Sequence, residues 1–259
     1  MKYSISRIKL FKSCRRAYEL KYIEGLEPVQ KADSLQTGLS YHAKIEEFYK
    51  TGEVPVDEDV KTTAMAMAYA KYIAPQVKMQ VCEEWFEWNP NSVIYKDSLI
   101  GRVDGIAEDG RLVEHKTTSS EIGDDYEYML QWDEQLLAYM LMTGKREMYY
   151  TVCRKPTIRQ KKNETEKEFM QRCVEWYDED TDSKIRLMLI SRTDEEVAEF
   201  RTEVVRMMAT ISKTDNFYKN PSYCKHWGRM CDYASVCLHY DPKQEYIEFE
   251  RVDRDSKKS

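Results

Sequence analysis

Asp104, Glu114 and Lys116 stand in the stretch GRVDGIAEDGRLVEHKTT, Gly101 to Thr118, on two runs that alternate in the manner of β-strands. The intervening EDG, Glu108 to Gly110, has turn composition, so the runs read as a hairpin with that turn at its tip. Asp104 and Glu114 then lie about equally far from the tip. Residues facing each other across such a pair have Cβ atoms about 4.5–5.5 Å apart. The side-chain period of two sets Lys116 on the face of Glu114 and turns His115 the other way. Two carboxylates and an ammonium therefore converge on one patch of sheet. Carboxylates that close repel, and a shared hard divalent ion such as Mg²⁺ or Mn²⁺ stabilises both through oxygen ligation. The alternative is an exposed cross-strand ion pair, common on solvated sheet faces. Val103, Ile106, Leu112 and Val113 weigh against it, because they make both strands apolar enough to be internal, and buried charges without partners are costly.

The elements that must hold this patch are legible from period and punctuation. Ser34 to Lys50 reads as a helix with Leu39, His42, Ile45 and Phe48 or Tyr49 on one stripe, ended by TGEVP. An alanine- and methionine-rich helix follows from Asp59 to about Ala74, where Pro75 interrupts it. VCEEWFEWN and SVIYKDSLIGRVDGIAE alternate as strands, and RLVEHKTT is the returning strand. Asp124 to Thr143 reads as one helix stopped at Gly144, with Gln135 and Tyr139 four apart on one face. MYYTVCRK and KIRLMLISR are further strands, with a helix from Asn163 to Tyr177 between them. Thr193 to Glu196 has capping-box spacing and opens a helix to about Thr214. This order makes an α/β or α+β single domain with a mixed sheet.

The chain has 259 residues, 42% hydrophobic and 33% charged, which allows a sizeable core under a well-solvated surface. No apolar run approaches the roughly 20 residues of a membrane span. The opening MKYSISRIKLFKSCRR lacks the apolar core of a signal peptide, so a cytoplasmic location is expected and no membrane partner. The net charge of −6 argues against a general nucleic-acid coat and leaves room for a local basic groove. KSCRR and RKPTIRQKK, Arg154 to Lys162, are such clusters, although each alone also reads as solvated surface. Seven cysteines in a reducing compartment point away from disulfides. Cys224, Cys231 and Cys237 fall within PSYCKHWGRMCDYASVCLHY; with Cys14 they offer four thiolates, which suit zinc or an iron–sulfur cluster. The paired knuckles of structural zinc sites are missing, while His226 and His239 keep zinc open. Cys82, Cys153 and Cys173 read as ordinary buried cysteines.

Gly-x-x-Asp followed by Glu-x-Lys, here Gly101, Asp104, Glu114 and Lys116, resembles the signature of the PD-(D/E)XK nuclease superfamily. GLSYHAKIEEF resembles its helix-borne histidine segment, with His42, and QLLAYMLMTG its Gln-x-x-x-Tyr motif, with Gln135 and Tyr139. FKSCRRAYELKYI is similar to the N-terminal cysteine segment of iron–sulfur members of the RecB-type branch, which includes AddB-like nuclease domains and the CRISPR-associated exonucleases. The resemblance runs from Cys14 to Cys237 and departs at His115, where an aliphatic residue is commoner.

That resemblance implies a restriction-endonuclease-like α/β core, a mixed central sheet flanked by helices, whose terminal segments are joined by a metal cluster. It implies one nuclease domain over 1–240, with cluster segments 1–30 and 215–240 and a partly disordered tail 241–259. The activity implied is metal-dependent hydrolysis of DNA phosphodiesters, as an exonuclease on single strands or duplex ends. His42, Asp104, Glu114 and the His115 carbonyl would bind one or two Mg or Mn ions. Lys116 would orient or deprotonate water or stabilise phosphorane charge, with Gln135 and Tyr139 holding it. Cys14, Cys224, Cys231 and Cys237 would ligate a 4Fe–4S cluster, zinc being second. Arg15, Arg16, Arg159, Lys161 and Lys162 would contact DNA, and Glu83 or Glu84 is a further candidate carboxylate. The setting implied is bacterial, archaeal or phage, with a helicase, recombination or CRISPR-integration partner. Two alternatives stay open: a non-catalytic DNA- or partner-binding module, which the intact Asp104, Glu114 and Lys116 count against, and a nuclease acting on RNA.

Overall fold

The computed structural model describes residues 1–30, 32–90, 96–226 and 228–252. Ser92 to Tyr95 of the expected strand, and the tail from Asp253, lie outside the described residues. The chain packs as two compact units: Met1–Lys31, Trp88–Ile100 and Arg201–Ser259 form one, and Ala32–Glu87 with Gly101–Phe200 form the other.

The first elements are β1 (Lys2–Tyr3) and α1 (Ile5–Ser13), which Ser4 caps by accepting the Arg7 N–H. Cys14 adopts extended backbone and ends that helix. Then come α2 (Arg15–Tyr18), a π-helical turn at Glu19–Ile23 and β2 (Leu26–Pro28). In the second unit, α3 (Asp33–Thr51) ends at Gly52, whose φ of 81° is the left-handed stop expected of glycine. The next helix, α4 (Val60–Tyr72), starts where the Asp59 carboxylate accepts the Thr62 N–H.

The helix α3 keeps part of the expected stripe inward, with Ile45 buried and Tyr49 packed against the core, but widens it toward Thr37, Tyr41 and Lys44 and leaves Leu39 out. Thr37, Tyr41, Lys44 and Ile45 are buried, whereas Leu39 is exposed. Tyr41 and Ile45 pack against Met65, Ala68 and Tyr69 of α4. Lys44 can lie on that inward face because its ammonium pairs with Asp57 at 2.5 Å and donates to the Pro55 carbonyl. A neutralised lysine escapes a reading based on hydrophobic period.

The sheet strands are β3 (Met79–Trp88), β4 (Ser98–Ala107) and β5 (Leu112–Thr118). The β4–β5 turn closes when Ala107 N–H donates to Arg111 and Gly110 N–H to Ala107, with Gly110 at φ 84°. The expected helix from Asp124 to Thr143 is divided. It comprises α5 (Asp124–Met129), a 3₁₀ turn at Leu130–Trp132 and α6 (Glu134–Thr143). Asp133 breaks it: its backbone is extended and its carboxylate accepts the Gln135 N–H at 3.0 Å, capping a new helix instead of continuing the old one.

Next follow β6 (Glu147–Arg154), α7 (Glu166–Glu179), β7 (Ile185–Ser191) and α8 (Asp194–Lys213). Thr165 with Glu168 makes a capping box at α7. Thr193 with Glu196 makes reciprocal bonds of 2.7 and 3.2 Å at α8, as the spacing predicts. In the second unit the strand order is β4-β5-β6-β7, with β3 also on β4. The β5–β6 pair is parallel, and β4–β5 and β6–β7 are antiparallel. This is the expected mixed sheet flanked by helices. Val113 joins the core with Tyr41, Met65 and Tyr69, while Leu112 joins a second core with Leu136, Tyr139 and Val152. Strand β5 is thus buried on both faces from Leu112 to His115, although only Leu112 and Val113 of LVEHKTT are apolar.

In the first unit, β1 pairs in parallel with the start of β4, Lys2 with Ser98 and Tyr3 with Leu99. Its C-terminal part carries α9 (Pro221–Cys224), β8 (Lys225–His226), β9 (Arg229–Met230), α10 (Ala234–Cys237) and β10 (Phe249–Arg251). Within the segment expected to be partly disordered, β10 pairs antiparallel with β2. Among the described residues no helix is long and apolar enough to cross a membrane.

Candidate active site

The β4–β5 register pairs Gly105 with Val113 and Ile106 with Leu112, and one further step sets Asp104 opposite Glu114. There a side chain takes over from the ladder. Asp104 Oδ2 accepts the His115 N–H at 2.7 Å, and its Oδ1 lies 3.1 Å from Nδ1 of His42 on α3. On β5, the Lys116 ammonium is ion-paired with Glu114 and donates to Gln135 Oε1 at 3.0 Å. Gln135 Nε2 donates to the Tyr139 hydroxyl at 2.7 Å, and that hydroxyl donates to the Arg102 carbonyl at 2.7 Å.

A relay thus runs from β5 across one turn of α6 and back to β4. Because the Tyr139 proton goes to a carbonyl, its oxygen can only accept from Gln135, and this fixes which end of the amide faces Lys116. Gly101 makes room for the relay: a Cβ there would lie 3.0 Å from Tyr139 Cε1 and 2.6 Å from Met142 Cε.

The electrostatics are those of a buried, crowded site. Burial and the Asp104 carboxylate push Glu114 upward, with the Lys116 charge pulling the other way. Burial also works against the charged form of Asp104, but the hydrogen bond and charge of His42 outweigh it and leave Asp104 well below the usual carboxylate range. For His42 burial is opposed by Asp104 and Glu114, which raise it. Lys116 follows the same pattern, with burial outweighed chiefly by Glu114. The Glu114 pairing thus favours the charged form of Lys116.

The donor set fits a hard divalent cation. Glu114 Oε2 is buried with no hydrogen-bond partner, a state that a cation at that oxygen relieves. Two carboxylates and a carbonyl are ligands of the type Mg²⁺ and Mn²⁺ take, and the imidazole is the one softer donor of the set. Among the described residues, no three His, Cys, Asp or Glu side chains close on one point as metal ligands. In this geometry His42 is drawn to Asp104 and Lys116 to Glu114, so the chain's own cations hold the carboxylates.

His115 turns its ring to the opposite core, 5.1 Å from Tyr69 and 6.0 Å from His42. Its Nδ1 bonds Thr151 Oγ1 at 2.7 Å, and burial pushes it down to about 4, so the ring is neutral. Its main-chain N–H is what bonds directly to Asp104. His115→Leu is expected to keep cleavage within about three-fold, and to cost about 1–3 kcal/mol of stability because the buried Thr151 hydroxyl loses its 2.7 Å partner. Paired activity and thermal-unfolding measurements check this; a loss of activity as large as that of an active-site alanine variant would assign the ring a direct role.

The remaining candidates are distributed as follows. Glu83 pairs with Arg102 at 2.8 Å. Arg159, Lys161 and Lys162 are exposed on the loop between β6 and α7, where the Lys161 N–H donates to Glu164. Arg15 and Arg16 belong to the first unit: Arg15 lies over the rings of Phe11 and Tyr218, and Arg16 pairs with Glu19 beneath Tyr240. The four cysteines also belong to that unit. Cys14, Cys231 and Cys237 pack in one apolar cluster with Leu20, Tyr233 and Val236, and the Cys231 N–H donates to the Cys224 carbonyl at 2.8 Å. Cys231 and Cys237 are raised chiefly by burial, with the charges of Cys14 and Cys224 adding to it. Elsewhere, Cys153 and Cys173 are buried and Cys82 is half-buried.

Sequence reasoning missed Asp133, Thr151, Tyr69 and the carbonyl of Arg102. Asp133 had a readable signal, an Asp directly before an apolar helical run with Gln two positions on. Thr151 had none, because it meets His115 only through the parallel β5–β6 register.

A model of the PD-(D/E)XK nuclease superfamily matches residues 2–238 of the chain. No curated protein matches it. Among solved structures, that of SSO0001 is 15% identical, covers 92% of this chain and 86% of its own, and has a TM-score of 0.46. An alkaline exonuclease, LHK-Exo, from Laribacter hongkongensis is 17% identical over 82% of this chain and 88% of its own, with a TM-score of 0.35. A phage-related exonuclease from Haemophilus somnus 129PT is 17% identical over 75% of this chain and 90% of its own, with a TM-score of 0.34.

Proposed function

The chain belongs to the PD-(D/E)XK nuclease superfamily, and we propose that it hydrolyses DNA phosphodiesters as a metal-dependent exonuclease of RecB type on single strands or duplex ends. The observation that carries this reading is the Lys116–Glu114 pair, steered by Gln135 and Tyr139 and set beside Asp104 and His42. His42, Asp104, Glu114 and the His115 carbonyl are the groups that would hold Mg²⁺ or Mn²⁺. A divalent ion there supplies polarisation of the scissile phosphate and a more acidic water.

The chain's own residues do the rest. The Lys116 ammonium, held by Glu114 and Gln135, would donate to charge developing on the phosphate oxygens. Gln135 limits how far that ammonium swings, and Tyr139 keeps Gln135 from flipping its amide. No Ser or Cys nucleophile is required. Arg159, Lys161 and Lys162, with Arg15 and Arg16 in the first unit, would contact phosphates, so affinity should fall with salt.

The deciding experiment is gel analysis of end-labelled single- and double-stranded DNA with Mn²⁺ or Mg²⁺. Cleavage that EDTA stops is expected; no cleavage of any substrate, or cleavage indifferent to EDTA, would overturn the reading.

Cys14, Cys224, Cys231 and Cys237 are proposed to hold a 4Fe–4S cluster, with zinc second. The shared apolar cluster of Cys14, Cys231 and Cys237, with the exposed Cys224 bonded through its carbonyl to the Cys231 N–H in the same unit, supports a structural centre that closes a very long loop. Protein purified without oxygen should be brown, with the visible absorbance lost in Cys231→Ser. A colourless sample carrying stoichiometric zinc would transfer the site to zinc.

A further inference from the structure

Trp85, on β3, leaves 66% of its surface exposed. One exposed aromatic is ordinary on a protein surface, so its meaning here comes from its neighbours. Strand β3 pairs with β4 alone among the described strands, so the indole projects from the sheet's edge strand.

Two further features fix what lies beside it. The guanidinium of Arg102 sits over the indole, 5.8 Å from its centre, and donates to Glu83 at 2.8 Å. Glu83 itself has φ of 54°, the left-handed region that a non-glycine residue adopts under local constraint and that clusters at functional sites. Trp85, Arg102 and Glu83 thus form one small assembly, with the cation on one ring face.

The assembly is also wired to the reaction centre. The carbonyl of Arg102 is the last acceptor of the chain that runs from Lys116 through Gln135 and Tyr139. The residue whose side chain supports the indole is therefore the residue whose backbone anchors the lysine relay.

We infer that Trp85, backed by Arg102, is a stacking platform for an unpaired nucleobase of the strand being cut, next to the scissile phosphate. This rests on the nuclease reading given above. Every base has a π-face, so such a platform holds single strands without regard to sequence, and an Arg beside the indole is the kind of cation that accompanies stacked bases. A duplex end, whose bases are stacked on each other, would have to fray to use it.

The test is equilibrium binding by fluorescence anisotropy in EDTA, so that no strand is cut. Full-length wild type, Trp85→Ala and Trp85→Phe are each titrated against a labelled oligothymidylate and against an abasic strand of equal length. Trp85→Ala should bind the oligothymidylate about ten-fold more weakly, and Trp85→Phe should recover most of that loss. Neither variant should change affinity for the abasic strand, which keeps the phosphates and lacks the bases. Equal affinity of Trp85→Ala and wild type for oligothymidylate would overturn the inference. So would an equal loss on the abasic strand, because the indole would then act through fold or charge. A wild type that cleaves no nucleic acid, yet shows the base-dependent loss, retires the hydrolase reading and keeps the stacking site.

Discussion

Lys116→Ala is expected to lower the single-turnover rate of DNA cleavage by about 10³-fold or more, the scale of losing a donor aimed at developing charge. The fold should survive. The Lys116 side chain is 28% exposed, and the Glu114 it leaves behind is already pushed toward its neutral form by burial and Asp104. Glu114 can therefore take up a proton rather than remain as an unpaired buried charge, whose cost would otherwise be severe. Mn²⁺ binding, read by calorimetry, should persist. Cleavage at the wild-type rate would remove the lysine from the mechanism.

The second large effect is expected from Asp104→Asn. The amide oxygen can still accept the His115 N–H that Asp104 accepts at 2.7 Å, so the β4–β5 junction should hold and the melting temperature should stay within a few degrees. What disappears is charge. His42 loses the partner that raises it, and a divalent ion loses one of two carboxylates. Cleavage should fall by about 10³-fold, and Mn²⁺ affinity should fall with it. Undiminished metal binding by a folded Asp104→Asn protein would move the ion elsewhere.

Much of this site was legible because it lies on local spacing. Asp104 and Glu114 could be set opposite each other from the turn between them, and Gln135 and Tyr139 from the pitch of a helix. The capping boxes at Thr165 and Thr193 are equally local, although only the second was read. What escaped depended on non-local neighbours or on a polar residue in an apolar setting. Lys44 lies inward beside its ion-pair partner Asp57, so the buried face of α3 includes a charged residue that a hydrophobic stripe does not show. The division of the Asp124–Thr143 helix turned on one carboxylate at Asp133 preferring a cap to a turn of helix. The Thr151 contact with His115 depends on a parallel pairing that no short segment encodes. The two-unit division cuts across the chain order, since Trp88–Ile100 belongs with both termini, and composition marks no boundary there.

Gly101 carries the quietest of these constraints. It has no acid, base or ligand to offer, yet a single methyl group at that position would meet the ring that steers the amine. A methyl there would press on the tip of Met142 and on the phenol ring, so the alignment of the amine depends on a position that carries no charged letter of the signature.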